Sequence, residues 1–275
     1  MQLYFLVWID AWDAVLHLPE VVVSLSQPLE ELKMMLLKNE KVSMFMLISP
    51  GGVGKTTLAT MFCLDREIKV FRKKPNLEHI VQQLYQCEGS QLPTIRNKEI
   101  AFMCLQNFIK AKVEHPLLLV LDDVWPGSES LLQKLNEIKR PNYKILVTSR
   151  FDFPGLDCSY PFHCKVLDNE SAMELFRLSL GDSSFPIDLA IKIVQQCVGV
   201  PLTIKVVAGS LRGQPIQIWE QMLYEWSKHS QRDLLFYLGS SLEYGSNKET
   251  IKERFLDLCS FLEDQRIPAA ALIDM

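Results

Sequence analysis

The hydrophobic pattern in the first part of the chain alternates between short apolar runs and longer amphipathic segments. The apolar runs are VSMFMLI at 42–48, HPLLLVL at 115–121 and NYKILV at 142–147. A short, nearly continuous run of this kind is typical of a strand buried on both faces of a parallel sheet. Helical periodicity is found instead at 57–67, 75–89 and 97–112. The alternation predicts an α/β fold with a parallel sheet, which a short edge strand at 160–167 completes.

The second strand of this sheet is difficult to find in the sequence. Between the helices at 57–67 and 75–89, the only candidate is KVFRKK at 69–74, which is short and basic. A buried strand needs a longer apolar run, so we expect the second strand to be stunted. Residues 1–18 are rich in aromatic side chains, match no later element and stay unassigned.

Beyond residue 168 the pattern becomes helical throughout. Helices are predicted at 169–181, 187–213 and 218–228. The sequence Gly199-Val200-Pro201 breaks the middle segment into two helices, because Pro201 suits the first turn of a helix, where its missing N–H is harmless. A further helical unit begins near residue 250 and stops in mid-pattern at Met275, which suggests a truncated product.

The first apolar run leads directly into ISPGGVGKTTLAT at 48–60, which has the order strand, glycine loop, Lys-Thr and helix. This order is that of a phosphate-binding P-loop. The loop residues Gly51, Gly52, Val53 and Gly54 would surround phosphates with backbone N–H groups, aided by the positive end of the following helix. The alternative is a glycine-rich turn with a solvated lysine, which the flanking strand and helix make less favourable.

The residues that follow the loop supply the charges such a site needs. Lys55 would reach the terminal phosphates, and the Thr56 hydroxyl would ligate Mg²⁺. The first glycine of the usual pattern is replaced by Ser49, so this turn must be compatible with negative φ.

Two carboxylates, Asp122 and Asp123, follow the second apolar run, and ligands bind at this end of the strands in parallel sheets. Together with the upstream loop they form a Walker B element. Asp122 would hold Mg²⁺ through water, and Asp123 would orient or activate a water for attack on the γ-phosphate. Alternatively, both carboxylates would only cap the next helix.

Two further positions allow more than one interpretation. Arg150 ends the third strand at the same edge of the sheet, where it would either sense a γ-phosphate or form a surface ion pair. The extended arm at 19–25 would either pass over the nucleotide base or simply pack against the domain.

Composition excludes several classes of function. The net charge is −4 and no basic run is present, so the sequence has no electrostatic signature of nucleic-acid binding. No segment has the apolar length of a membrane span. The seven cysteines lack paired spacing, which indicates reduced cysteines in a cytoplasmic or nuclear protein.

Taken in order, five stretches resemble the NB-ARC module of plant NLR disease-resistance proteins, and the similarity runs from about Val21 to Met275. They are SPGGVGKTT, LLLVLDDVW, YKILVTSRF, CVGVPLTIKVV and KERFLDLCSFLEDQRIP. PNLEHIVQQLYQ and GQPIQIWEQ look most like the helper subgroup, whose members carry a powdery-mildew-resistance-type domain in front. The resemblance implies a nucleotide-binding domain at 19–167, a helical domain at 168–235 and the start of a winged-helix domain at 236–275.

The resemblance also implies a function and a set of binding residues. In the family, ADP holds a closed state and ATP an open one, and the partners are other NLR proteins or immune signalling proteins. Carried over, the phosphate-binding residues would be Gly52, Gly54, Lys55, Thr56 and Thr57, with Pro201 against the adenine. Val23 belongs to the N-terminal motif Val23-Ser24-Leu25, where the family usually has Val-Gly-Leu.

Other properties follow from the same resemblance as expectations. The protein would be cytoplasmic, or would reach the nucleus or the inner face of the plasma membrane through partners. The leucine-rich repeats and the Met-His-Asp motif of the family are not in this sequence, so we expect a truncated member. Its ATP hydrolysis would be slow at most. Two alternatives are a true P-loop ATPase or kinase, and a degenerate fragment that binds relatives without nucleotide.

Overall fold

A computed structural model describes most of the chain up to residue 228. The described residues are 3–9, 18–38, 42–64, 68–71, 98–111, 117–138, 143–156, 159–181 and 184–228, with isolated positions beyond. The helix expected at 75–89 and the winged-helix start expected at 236–275 lie outside them.

The chain divides into two compact units that share its N-terminal arm and its glycine loop. The first unit comprises Met1–Glu20, Ser24–Pro50 and Gly54–Lys165, and the second comprises Val21–Val23, Gly51–Val53 and Val166–Met275. The domain boundaries implied by the resemblance, at 167 and 235, stay predictions.

The first unit contains a parallel sheet of six strands. They are β1 Leu3–Ile9, β2 Met44–Ile48, β3 Ile68–Phe71, β4 Leu117–Val124, β5 Tyr143–Ser149 and β6 Ser159–His163. Their order across the sheet is β3-β1-β4-β5-β2-β6, and every described pair is parallel. The predicted α/β class is therefore confirmed, with β6 at one edge as expected.

The other edge of the sheet differs from the expectation in one respect. Residues 1–18 matched no later element in the sequence, but Leu3–Ile9 forms a strand between β3 and β4. The second strand is stunted as predicted, because Ile68–Phe71 has four residues and pairs with β1 instead of the Walker B strand. A seven-residue run of aliphatic and aromatic side chains is suited to a parallel strand. β1 occupies the position beside β4 that the short β3 does not take.

Four described helices cover the faces of this sheet. They are α1 Ser26–Lys38, α2 Lys55–Leu64, α3 Lys98–Ala111 and α4 Glu129–Asn136. On one face Leu32 and Phe62 join a cluster with Phe45 and Leu47 of β2. On the other face, residues of α3 and α4 pack against the strand positions between these, such as Met46. Alternate residues of β2 are thus buried on opposite faces, which explains why the sequence reads as one apolar run.

Helix α1 begins earlier than the sequence suggests. From the sequence alone, Gln27-Pro28 predicts a turn and the apolar positions from Leu29 predict a helix, but the helix starts at Ser26. Pro28 then lies in the first turn, where an amide proton would have no helical acceptor, so the proline does not interrupt the helix.

The second unit contains four described helices: α5 Asn169–Leu180, α6 Ile187–Gln196, α7 Pro201–Leu211 and α8 Ile216–Ser227. Asp168 caps α5 by accepting a hydrogen bond from the backbone N–H of Ser171 at 2.8 Å. Pro201 opens α7 at the predicted break. The helices bury one cluster in which Phe176, Trp219 and Trp226 are the largest side chains. The unit therefore has a core of its own.

Candidate functional site

The glycine loop leaves β2 and enters α2 through backbone conformations that glycine adopts readily. Gly52 and Gly54 have φ of 79° and 106°, values that residues with a Cβ rarely reach. The carbonyl of Gly54 accepts the first bond of α2, from Leu58 N–H at 2.9 Å. Ser49 is not among the residues with positive φ, as predicted for the position where the usual pattern has a glycine.

Lys55 is a buried cation at the start of α2. The residue is only 7 % exposed. Its Nζ donates to the backbone carbonyls of Ser49 at 2.6 Å and Pro50 at 3.0 Å. Burial lowers the pKa of Lys55, with the nearby Arg150 acting in the same direction. A desolvated cation beside the loop is the charge that a phosphate group would neutralise.

Thr56 and Asp122, the two predicted Mg²⁺ ligands, are brought together by the fold. The Thr56 hydroxyl donates to Asp122 Oδ1 at 3.0 Å, although the two residues are 66 positions apart in sequence. Thr148 of β5 also donates its hydroxyl to the same carboxylate oxygen. Burial raises the pKa of Asp122, and the bonds from both threonines oppose that shift. A bound cation would relieve the desolvation of this carboxylate.

Asp123 occupies an irregular position in β4. Leu121 pairs with Val147 and Val124 with Ser149, so two residues of β4 face the single residue Thr148. This is a β-bulge, a feature that redirects side chains near functional sites. Asp123 has φ of 49°, and its backbone N–H donates to Thr148 Oγ1 at 2.8 Å. The bulge therefore gives the two consecutive carboxylates different surroundings.

Thr148 belongs to the site although it is not among the residues predicted from the sequence. This residue is fully buried and links the two aspartates, accepting from the Asp123 backbone N–H and donating to the Asp122 carboxylate. A threonine inside the apolar run before Arg150 was a usable signal, because a buried hydroxyl needs hydrogen-bond partners.

Arg150 lies at the carboxyl end of β5, as predicted, and it forms an ion pair with Asp123. Arg150 Nε is 3.3 Å from Asp123 Oδ1, and Nη2 donates to Oδ2 at 3.4 Å. Both side chains remain nearly half exposed, at 46 % and 43 %. A cavity of about 160 Å³ opens beside this pair, with Asp122, Asp123 and Trp125 in its lining.

These residues fit a nucleotide-bound Mg²⁺ better than a permanent metal site. Within the described part of the chain, no cluster of three or more His, Cys, Asp or Glu side chains could hold a metal ion. Mg²⁺ in phosphate-transfer sites takes one or two protein oxygens and completes its shell with phosphate and water. The Thr56 hydroxyl and the Asp122 carboxylate, 3.0 Å apart, are a donor set of this kind.

Of the remaining predicted residues, Thr57 lies in α2 of the first unit and the others lie in the second unit. Gly51–Val53 belongs to it, and there the carbonyl of Gly52 accepts a hydrogen bond from Leu202 N–H at 3.2 Å. A Cβ on Gly52 would lie 2.8 Å from Leu202 Cβ, too close for any other residue. Leu202 follows Pro201 in the first turn of α7, so the loop and the GVPL motif are neighbours within this unit.

Val23 also lies in the second unit, on an arm that packs against its core. Val21 and Val23 contact the helical cluster, and Lys205 Nζ donates to the Val21 carbonyl at 2.7 Å. Ser24 has φ of 57°, the left-handed conformation. A glycine, which the family usually has at this position, would adopt this conformation without strain. The packing interpretation therefore applies to this arm, and contact with a base stays a prediction.

The fold and these residues define a P-loop nucleotide-binding protein: the lysine and threonine that open α2 lie with a Walker B carboxylate at one edge of a parallel sheet. Comparison with known families is more specific. The NB-ARC domain matches residues 25–184, which is more than half of the chain, and the protein belongs to the NB-ARC family.

The curated relatives include several plant disease-resistance proteins. The probable disease resistance protein At5g66900 of Arabidopsis thaliana is 39 % identical over 94 % of this chain and 34 % of its own length. At5g66910 of the same plant is 38 % identical over 93 % of this chain and 33 % of its length, and disease resistance protein ADR1 is 27 % identical. The chain thus spans about a third of the length of these relatives.

Solved structures support the fold. A signal transduction ATPase with numerous domains from Pyrococcus horikoshii, which carries a tetratricopeptide repeat sensor, superposes with a TM-score of 0.55. The superposition covers 96 % of this chain and 37 % of the archaeal chain, and the two sequences are 16 % identical. Among the residues that the structure describes, no helix has the length and apolar character needed to cross a membrane.

Proposed function

We propose that this chain is an ADP- and ATP-binding switch module of a plant defence NLR protein. The observation that carries the proposal is the convergence of Lys55, Thr56 and Asp122, in which a hydroxyl and a carboxylate from distant segments lie 3.0 Å apart beside a buried ammonium. These groups match the charge and the ligand preference of a Mg²⁺-bound polyphosphate. Membership of the NB-ARC family supports the same conclusion.

Different residues would bind the phosphates and the adenine. The backbone of Gly51–Gly54 and the Thr57 N–H at the start of α2 would contact phosphate oxygens, as in other glycine loops that precede a helix. Lys55 would exchange the carbonyls of Ser49 and Pro50 for phosphate oxygens, which are stronger acceptors because they carry charge. Val23 and Pro201 would contact the adenine, as the resemblance to the family implies.

Hydrolysis would depend on Asp123 and Arg150 in separate roles. Asp123 would accept a proton from the attacking water or orient that water, and Arg150 would bind the γ-phosphate. Mg²⁺ on Thr56 and Asp122 would neutralise phosphate charge. Since Asp123 and Arg150 are paired with each other in this structure, neither is positioned for turnover, and slow hydrolysis is expected.

The helper subgroup is a finer proposal that rests on the PNLEHIVQQLYQ and GQPIQIWEQ stretches. The relatives' names associate them with disease resistance, and we extend that role to this chain. Its partners would then be other NLR proteins or immune signalling proteins, in the cytoplasm, in the nucleus or at the inner face of the plasma membrane.

Replacing Asp123 by alanine tests the proposed division of roles. We expect ATP turnover to fall by roughly 100-fold, because a positioned general base contributes about that much. The affinity for ADP should stay within about threefold of the parent, or 0.7 kcal/mol. Single-turnover hydrolysis and calorimetric ADP titration measure the two quantities.

Asp122→Ala is the matched comparison, because it removes the neighbouring carboxylate that faces Thr56. It should weaken Mg²⁺-dependent ATP binding as well as turnover. If the two variants lose binding and turnover to the same extent, the assignment of water to Asp123 and metal to Asp122 is incorrect.

A further inference from the structure

Trp125 lies two residues after Asp123, the second Walker B carboxylate, and its exposure is not explained by packing alone. Trp125 is 44 % exposed, whereas tryptophan residues in folded domains are on average highly buried. The ring contacts Phe151, with centroids 5.4 Å apart and planes tilted by 48°. The two aromatic residues follow β4 and β5, so they adjoin the site from neighbouring strands.

Trp125 contacts both members of the Asp123–Arg150 ion pair. Its indole Nε1–H donates to Asp123 Oδ2 at 3.3 Å, and the guanidinium carbon of Arg150 lies 5.3 Å from the centre of its ring. Arg150 in turn bonds to both oxygens of Asp123. The three side chains thus form a closed triangle of contacts in which every pair interacts directly.

Each contact is weak by itself, since all three side chains are partly solvated and exposed ion pairs contribute little. Together the three contacts are expected to stabilise this arrangement by more than the sum of the separate contacts. Two of the side chains already hold the third in one geometry, so less side-chain freedom is lost per contact. A cation over an indole ring adds a favourable contact that does not depend on the carboxylate. Arg150 is consequently held by two different partners at the same time.

We propose that Trp125 is a positioning residue that holds Arg150 on Asp123 and so lowers the preference of this site for a triphosphate. The inference rests on the proposed function, in which Arg150 binds the γ-phosphate. To reach that phosphate, the guanidinium must leave the carboxylate and the ring. ADP has no γ-phosphate and does not require this release. The exchange also frees Asp123, so the same step that recognises ATP makes the carboxylate available to water.

The test compares affinities for ADP and for the non-hydrolysable ATP analogue adenylyl imidodiphosphate, each with Mg²⁺, by calorimetry. Trp125→Leu removes both the ring and the indole N–H. We expect it to raise the ratio of analogue affinity to ADP affinity by about threefold to fivefold, the size expected for an exposed cation–π contact and its hydrogen bond. Trp125→Phe keeps a ring and should give a smaller rise.

The decisive comparison repeats Trp125→Leu in an Arg150→Gln background. With no guanidinium to hold, the substitution should leave the ratio unchanged, whereas a purely structural role of Trp125 would alter it equally in both backgrounds. Tyr160→Leu is the control, since Tyr160 is an exposed aromatic residue of the same sheet that stacks on Phe45, and it should have no effect on the ratio.

Three outcomes are distinguishable. A rise that depends on Arg150 supports the proposal. An unchanged or lowered ratio in Trp125→Leu, or an equal change in both backgrounds, overturns it while leaving nucleotide binding intact. Failure of the parent chain to bind ADP would instead contradict the proposed function on which the inference rests.

Discussion

Replacement of Lys55 by alanine is expected to abolish nucleotide binding, with the affinity for ADP falling by at least about 100-fold, or 2.8 kcal/mol. The reason is that Lys55 Nζ is a desolvated cation beside the glycine loop, so its charge is screened little and acts strongly on a phosphate. Without it, only backbone dipoles and the helix end would face the phosphate charge. Calorimetric titration with ADP and Mg²⁺ measures the loss.

The control for this variant is Lys33→Ala, which removes a lysine of α1 whose ammonium pairs with Glu30 at 3.0 Å. It should bind ADP like the parent. Lys55→Met keeps the apolar stem without the charge, and its thermal melt shows whether the loop still folds. An affinity of Lys55→Ala within about threefold of the parent would rule out Lys55 as the phosphate-binding cation.

Gly199→Ala is expected to cause the largest loss of stability. Gly199 has φ of 69°, and a Cβ there would lie 2.2 Å from the carbonyl oxygen of Leu167. The two backbones cannot separate freely, because Leu167 N–H donates to Gly199 O at 2.8 Å. We expect a destabilisation on the order of 3 kcal/mol, from the clash and the strained conformation together. Thermal unfolding followed by calorimetry measures it.

Two further variants separate the steric clash at Gly199 from the strain of its positive φ. Gly213 has the same φ of 69° but open space around its Cβ position, so Gly213→Ala should cost only about 1 kcal/mol. Val198 has φ of 51° and is 67 % exposed, so Val198→Gly should raise stability by about 0.5 kcal/mol through relief of strain. Equal losses from Gly199→Ala and Gly213→Ala would show that Leu167 yields to the added methyl group.

Much of the fold could be predicted because the strands of the sheet are buried on both faces. Such strands must be apolar at every position, so β2, β4 and β5 are visible as continuous runs. The glycine loop and the two aspartates could be placed at the ends of those runs for the same reason. The break before Pro201 was equally clear, since proline in a helix interior would remove a hydrogen bond.

The remaining features depend on contacts between distant segments, which no local pattern encodes. The apolar run Leu3–Ile9 carries no local signal that it pairs with β4, because Leu6 pairs with Leu119, 113 positions away in the sequence. The bulge at Asp122–Asp123 arises from the register between β4 and β5. The hydrogen bonds of Thr148 to Asp122 and Asp123 follow from that register, so the partners of this threonine were visible only in the structure.

The central claim is that this chain binds an adenine nucleotide at the loop that precedes α2. The most direct measurement is the amount of ADP bound per chain at equilibrium, determined by dialysis against ADP up to about 1 mM with Mg²⁺ after removal of any nucleotide that copurifies. We predict saturation at about one ADP per chain. Binding that stays near zero at about 1 mM ADP, in a preparation whose thermal melt shows a folded protein, would contradict the account.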